Sequence, residues 1–509
     1  MSNRYIYITL LTVLGWNAET IAQDGTRQVP RLVVNITIDQ LRSDFLEAYA
    51  PLYCTDGFRR LIEQGTVYEN ASYPMQQSDR ASAISTVITG SVPYYHSIVG
   101  LRWMNRETLI PQYCTENTRQ IGIPSPTHLS VSTLGDELKV ATHGEARVFA
   151  IAPFCDAAVL SAGHAADGAL WIDEQTGQWT TSKYYSNQAD VPLLSTNKLN
   201  EVKDNLEHVI WTPFGQESKP DFKYTFKGNK KYQEYQTSAL INAHITDLAL
   251  SSVINQMMGA DLVPDLLCLT YYAGPFNHQS LTDCQQEIRD TYLRLDRNIG
   301  QLITRLETSI GAGNVLFVLT GTGYCDPDHD DYSRYRIPTG TFYINRAANL
   351  LNMYFGAIWG QGRYIETRFG NELYINHKLL EQKHVKLTDF CQRAKEFLLQ
   401  MEGVRNIYTS LQLLSGDNSL ITKVRNGFHP LRSGDIIIDV APGWHLQNED
   451  TGEDRLSQAS TIPFPLILDG TGIQPGRVLT PVTTDRIAPT ISRAIRIRAP
   501  NACTSEPLY

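Results

Sequence analysis

The feature that most restricts what this chain can fold into is a recurring pattern: a short run of β-branched and aliphatic residues, a turn signal, then an amphipathic helical stretch. RLVVNITID, from Arg31 to Asp39, alternates Val33, Asn35 and Thr37 with apolar neighbours and ends on a carboxylate. ARVFAIAP, DLLCLTYY, NVLFVLTG, GDIIIDVAP and FPLILDG read as further strands. Helical patterns lie between several of them. DGFRRLIEQGT sets Phe58, Leu61 and Ile62 at helical spacing with Gly65 as a stop, and DTYLRLDRNIGQLITRLETSI is longer. Strands alternating with helices predict an α/β chain whose mostly parallel sheet is covered on both faces. In such sheets ligands bind at the carboxyl ends of the strands. The stretch NVLFVLTGTGYCDPDHDD is then unusual, because Gly321, Thr322 and Gly323 follow the strand and the first acid is Asp326.

Two stretches interrupt the rhythm. Residues 178–237 are polar, include the Tyr/Lys-rich YTFKGNKKYQEYQ, and predict an insertion over the core. Residues 347–417, with NELYINHKLL and then LTDFCQRAKEFLLQM, predict a small α+β cap. The core is therefore expected in three pieces, 23–177, 238–346 and 418–509. A length of 509 residues is ample for such a core with insertions.

The net charge of −9, without any basic run, gives no surface for a nucleic-acid backbone. Residues 1–22 read as a signal peptide: Arg4 supplies the positive start, IYITLLTVLGW the apolar middle, and TIA before Gln23 the small-residue cleavage site. No later stretch approaches the roughly 18 apolar residues of a transmembrane segment. A periplasmic or secreted protein is expected. The eight cysteines lack CxxC spacing, so neither zinc nor dithiol chemistry is indicated. Export leaves open a disulfide such as Cys54 with Cys114, against buried free thiols.

VVNITIDQLRSDFLEAY, GFRRLIEQGTVYENASYP, STVITGSVPYYHSIVG, NGFHPLRSGDIIIDVAPG and TDRIAPTISRAIRIRAPNAC, in that order, resemble the alkaline phosphatase superfamily. The nearest branch is the phosphate-irrepressible monoesterases, which overlaps the type I phosphodiesterase and nucleotide pyrophosphatase group. The resemblance runs from about Arg31 to Cys503 and implies an alkaline-phosphatase-like three-layer sandwich. It also implies two zinc ions, a Thr or Ser nucleophile and polar groups for the phosphoryl oxygens, because zinc needs Asp and His ligands and lowers the pKa of a hydroxyl.

Carried over by position, most of that set is absent. Asp39 matches the first metal-binding Asp. Counting back from Gly90 of TVITG puts Arg80 at the nucleophile, and a two-residue slip puts Ser78 or Ser82 there. The phosphate-binding Asn falls on Leu101 of HSIVGLRW, and the Lys-x-Arg pair on Phe154 and Asp156. The Asp-x-x-x-His ligands fall in YYAGPFNHQS, where His278 fits only with a shifted frame. Thr322 and Gly323 stand at the TADHG ligands, and Pro463 at the last His.

These replacements predict that no zinc cofactor is held and that Arg80 pairs with Asp39 in place of a dication. The expected function is an exported pseudoenzyme of that fold, binding a protein partner in a periplasmic or envelope assembly. The alternative is a metal-dependent phosphate mono- or diester hydrolase with a rebuilt site, using Asp39 and His278 as fallback metal ligands and Ser78 as nucleophile. The acidic run Asp326, Asp328, His329, Asp330 and Asp331 lacks the glycine and distal glutamate of a calcium loop and is expected to face solvent. His96 and His164 are expected to be structural. YTFKGNKKYQEYQ is read as a contact surface or a solvated insertion. Tyr354, Phe355 and Trp359 are expected either to line the cleft or to pack the cap.

Overall fold

A computed structural model describes residues 28–117, 119–186, 196–216, 219–326, 336–457 and 462–509. The signal-peptide reading of residues 1–22 lies outside the described residues, as do Asp328, His329, Asp330 and Asp331. The central sheet comprises β1 (Leu32–Asp39), β2 (Thr66–Ser72), β3 (Val148–Ile151), β4 (Gly168–Ile172), β5 (Trp179–Thr180), β6 (Asp265–Tyr272), β7 (Val315–Gly321), β8 (Phe464–Gly470), β9 (Gly476–Val478) and β10 (Val482–Thr483). Their order is β9-β2-β8-β7-β1-β6-β3-β4-β5, with β10 beside β2. Only β8 and β5 run against the rest. β1, at the centre, pairs in parallel with both β6 and β7.

The period-two pattern of β1 explains the layers. Val34, Ile36 and Ile38 join one buried cluster, which takes in Ile245 and Leu248 of α3 (Ile241–Asn255) and Leu295 and Ile299 of α4 (Gln285–Ile310). Val33 points the other way, into a cluster with Ile84 and Val87 of α1 (Arg80–Thr89) and Val159 of α2 (Cys155–Ala162). This is the alkaline-phosphatase-like α/β fold that the resemblance implied. Burial on both faces also accounts for the nearly unbroken apolar runs of β6 and β7.

The stretch expected as an insertion begins inside the central sheet, at β5, and turns aromatic residues inward. Tyr232, Tyr235 and Phe226 are buried in the α3/α4 cluster, and the Trp211 indole donates to Asp290 of α4 at 2.7 Å. The cap boundary shifts as well. Ile436–Val440, from the run GDIIIDVAP placed in the core by sequence, instead pairs with Glu372–Ile375 and Val404–Thr409 in a four-stranded antiparallel sheet. An isolated apolar run does not say which sheet it completes. Tyr354, Phe355 and Trp359 pack this unit, Phe355 stacking on Trp359 with ring centroids 4.9 Å apart. No helix among the described residues is long and apolar enough to cross a membrane.

Candidate active site

The register of the sheet builds the site. Asp39 ends β1 opposite Tyr272 of β6, and Ile38 sits opposite Gly321 of β7, so three strand ends and the loops after them meet. α1 begins at the same edge. Its N-cap, Asp79, accepts from the Ser82 and Leu101 backbone N–H groups at 2.9 and 2.6 Å. That cap places Arg80 in the first turn, and the Phe154–Asp156 segment after β3 closes over it.

Arg80 is the electrostatic centre of the edge. Its Nε and Nη2 donate to the two oxygens of Asp156 at 2.7 and 3.0 Å, and Nη1 donates to Asp39 at 3.2 Å. The guanidinium lies 3.8 Å from the centroid of the Phe154 ring. The Tyr113 hydroxyl donates to Asp156 at 2.8 Å. Asp39 also accepts from the Thr322 hydroxyl at 3.0 Å, and Thr322 in turn accepts from the Gln40 backbone N–H at 2.9 Å. Burial raises the pKa of Asp39 against the pull of Arg80, then of Tyr324 and Thr322. Burial alone would weaken the charge on Arg80, but Asp156 and Asp39 outweigh it and hold the guanidinium protonated. The expected Arg80–Asp39 contact is present, and Asp156 is the bidentate partner.

The loop that looked empty after β7 thus turns Thr322 and Tyr324 inward. Gly323 is required there. Its φ is +71°, and a Cβ would stand 2.6 Å from the Tyr73 ring. Asp326 departs from the expectation of a solvent-facing acid: it accepts from Gln40 Nε2 at 3.0 Å and pairs with His278 Nδ1 at 2.8 Å. The bond to Asp326 raises the pKa of His278, whose side chain is 57% exposed. Gln40, Asn277 and His278 adopt left-handed backbone with φ of 52–61°. Strained backbone of this kind clusters at functional sites.

Ser78, just before α1, donates to the Thr322 carbonyl at 3.3 Å. Ser82 is held in the capping box with Asp79. Leu101 packs its side chain against the α1/α2 cluster, and its carbonyl accepts from Cys114 N–H at 2.9 Å. The exposed Pro463 accepts from Ser43 N–H at 2.9 Å. His96 is buried with a pKa lowered to about 3 by burial, and both its nitrogens lie within hydrogen-bond reach of neighbours. His164 is held by Asp136 and the Leu129 carbonyl. Tyr113, Gln40 and Tyr324 had no sequence signal, since each joins the site only through contacts across the sheet edge.

A zinc pair needs about four ligands per ion, mostly from the protein. Asp39 is engaged by Arg80 and Thr322, His278 by Asp326, and no group of three or more His, Cys, Asp or Glu is arranged for a metal among the described residues. The residues present do not fit the pair.

Fold and site together define an α/β protein of the alkaline phosphatase type with a polar centre at the carboxyl edge of its sheet. Residues 33–461 match the type I phosphodiesterase / nucleotide pyrophosphatase family, and the chain belongs to that family. It is 27% identical to a protein of Myroides odoratus named a calcium-transporting ATPase, with 94% of each chain covered. It is 26% identical to the alkaline phosphatase PafA of Elizabethkingia meningoseptica, again over 94% of each. The crystal structure of PafA superposes with a TM-score of 0.80 at 24% identity, covering 94% of this chain and 98% of that one. These findings correct the expectation of a non-catalytic scaffold. A relative matched over 94% of both chains is an alkaline phosphatase, and the family match covers most of this chain, so the findings point to phosphate-ester hydrolysis rather than to a scaffold.

Proposed function

We propose that this protein is an exported hydrolase of phosphate mono- or diesters, working at a rebuilt site on the carboxyl edge of the sheet. Family membership and the end-to-end match to an alkaline phosphatase support the reaction class. The apolar, small-residue pattern of residues 1–22 supports export.

The observation that carries the reading is a continuous hydrogen-bond chain. His278 pairs with Asp326, Gln40 links Asp326 to Thr322, Thr322 donates to Asp39, and Asp39 meets Arg80. An exposed imidazole oriented by a carboxylate is a base–orienter pair. It takes a proton from the attacking water and returns it to the leaving alcohol, so that phosphate and alcohol are the products. Arg80, with three of its five N–H donors committed among the described residues, fixes Asp39 at the end of this chain.

The test is hydrolysis of chromogenic aryl phosphate mono- and diesters by the purified mature chain. A rate above buffer that falls roughly 10²–10⁴-fold in His278→Gln is expected. Turnover equal to buffer at every pH tried would overturn the reading.

A further inference from the structure

We infer that Arg80 is the resident cation of this site, shared between Asp39 and Asp156, so that Arg80 and a divalent ion exclude one another there. The inference shares its location with the proposed hydrolase, but its readout is metal uptake rather than turnover, so either can fail without the other.

Asp39 and Asp156 are both buried, and their carboxylates come within 3.2 and 2.7 Å of one guanidinium. Two buried carboxylates this close to a common point require a cation, because an uncompensated charge away from water is strongly unfavourable. The resemblance to the alkaline phosphatase superfamily implies divalent ions in that role. Here a covalently tethered cation takes it, and every contact is of the kind a guanidinium makes. Asp156 is gripped side-on by Nε and Nη2, the Phe154 ring stacks on the planar face, and Tyr113 satisfies an oxygen of Asp156.

A divalent ion entering beside Arg80 would meet a like charge in a medium that screens poorly, and both carboxylates it needs are already engaged. Removing the guanidinium reverses the situation. Asp39 and Asp156 would remain with the hydroxyls of Thr322 and Tyr113, an all-oxygen donor set that suits Mn²⁺ or Mg²⁺ better than zinc.

The experiment is calorimetric titration of the full mature chain with Mn²⁺ and with Zn²⁺, alongside elemental analysis and melting curves with and without a chelator. In the native protein we expect no stoichiometric metal that depends on Asp39, and a melting temperature that a chelator leaves unchanged. Arg80→Ala should take up about one Mn²⁺ per chain and melt higher with the ion than without it. The double variant Arg80→Ala with Asp39→Asn should lose that uptake. Native protein carrying zinc or manganese that Asp39→Asn removes would overturn the inference, as would a folded Arg80→Ala chain that binds no Mn²⁺. Should Arg80→Ala not fold, Arg80→Met keeps the stem packing and takes its place. The native-protein arm stands without either variant.

Discussion

Removing the Arg80 guanidinium provides the strictest measure of what holds the sheet edge together. Arg80→Ala leaves Asp39 and Asp156 buried without their cation, and breaking a buried pair by deleting one partner costs roughly 3–5 kcal/mol. Loss of the Phe154 face adds about 1–2 kcal/mol at a desolvated position, for roughly 4–7 kcal/mol in all. Asp156→Asn is milder, because Asp39 still faces the guanidinium. The two effects are not additive: once Arg80 is gone, removing the Asp156 charge relieves the remaining strain. The double variant should therefore be more stable than the sum of the singles by about 1–3 kcal/mol. Urea unfolding followed by tryptophan fluorescence measures the cycle. Melting offers a second measure, with roughly 1 °C lost per kcal/mol for a chain of this length. Additivity within about 0.5 kcal/mol, or an Arg80→Ala chain as stable as the native one, would refute the account.

His377 pairs with Asp435, which Arg106 also holds, at the junction between the small sheet and the core. The bond to Asp435 raises the pKa of His377 above its ordinary 6.5, so its stabilisation is complete below that value and is lost as pH rises through the folded pKa. His377→Gln should flatten the fall in melting temperature above about pH 6.5, and an unchanged slope would show that the pair is not the source. Gly323→Ala forces a left-handed conformation on a residue whose Cβ would meet the Tyr73 ring, and should destabilise the chain by about 1–3 kcal/mol in urea unfolding. Cys54 and Cys114 carry free thiols on opposite sides of the sheet, the first beside Asp296 of α4 and the second in the α1/α2 cluster. Burial pushes the Cys114 thiol well up, so a thiol reagent should label it only after denaturation, as peptide mass mapping would show.

The order of strands and helices was legible in the chain because local periodicity reports burial. The nearly unbroken apolar runs of β6 and β7 and the alternation in β1 each state how many faces are covered. Asp39 could be placed at a strand end from the pattern of its own segment, and Arg80 at the start of a helix aimed at it from the family resemblance. The tertiary structure decided everything that depends on which distant segments meet. Asp156, matched in sequence to a missing phosphate-binding residue, is the bidentate partner of Arg80 across 76 positions. Asp326, read as one acid of a solvated run, is bound to His278 and Gln40, 48 and 286 positions away. Ile436–Val440 carried the apolar signature of a strand but not the identity of its sheet. A residue's secondary structure follows from neighbours within a few positions, which the sequence displays. Its charge partners follow from the register of parallel strands and the crossings between them, and these exist only once the whole sheet has assembled.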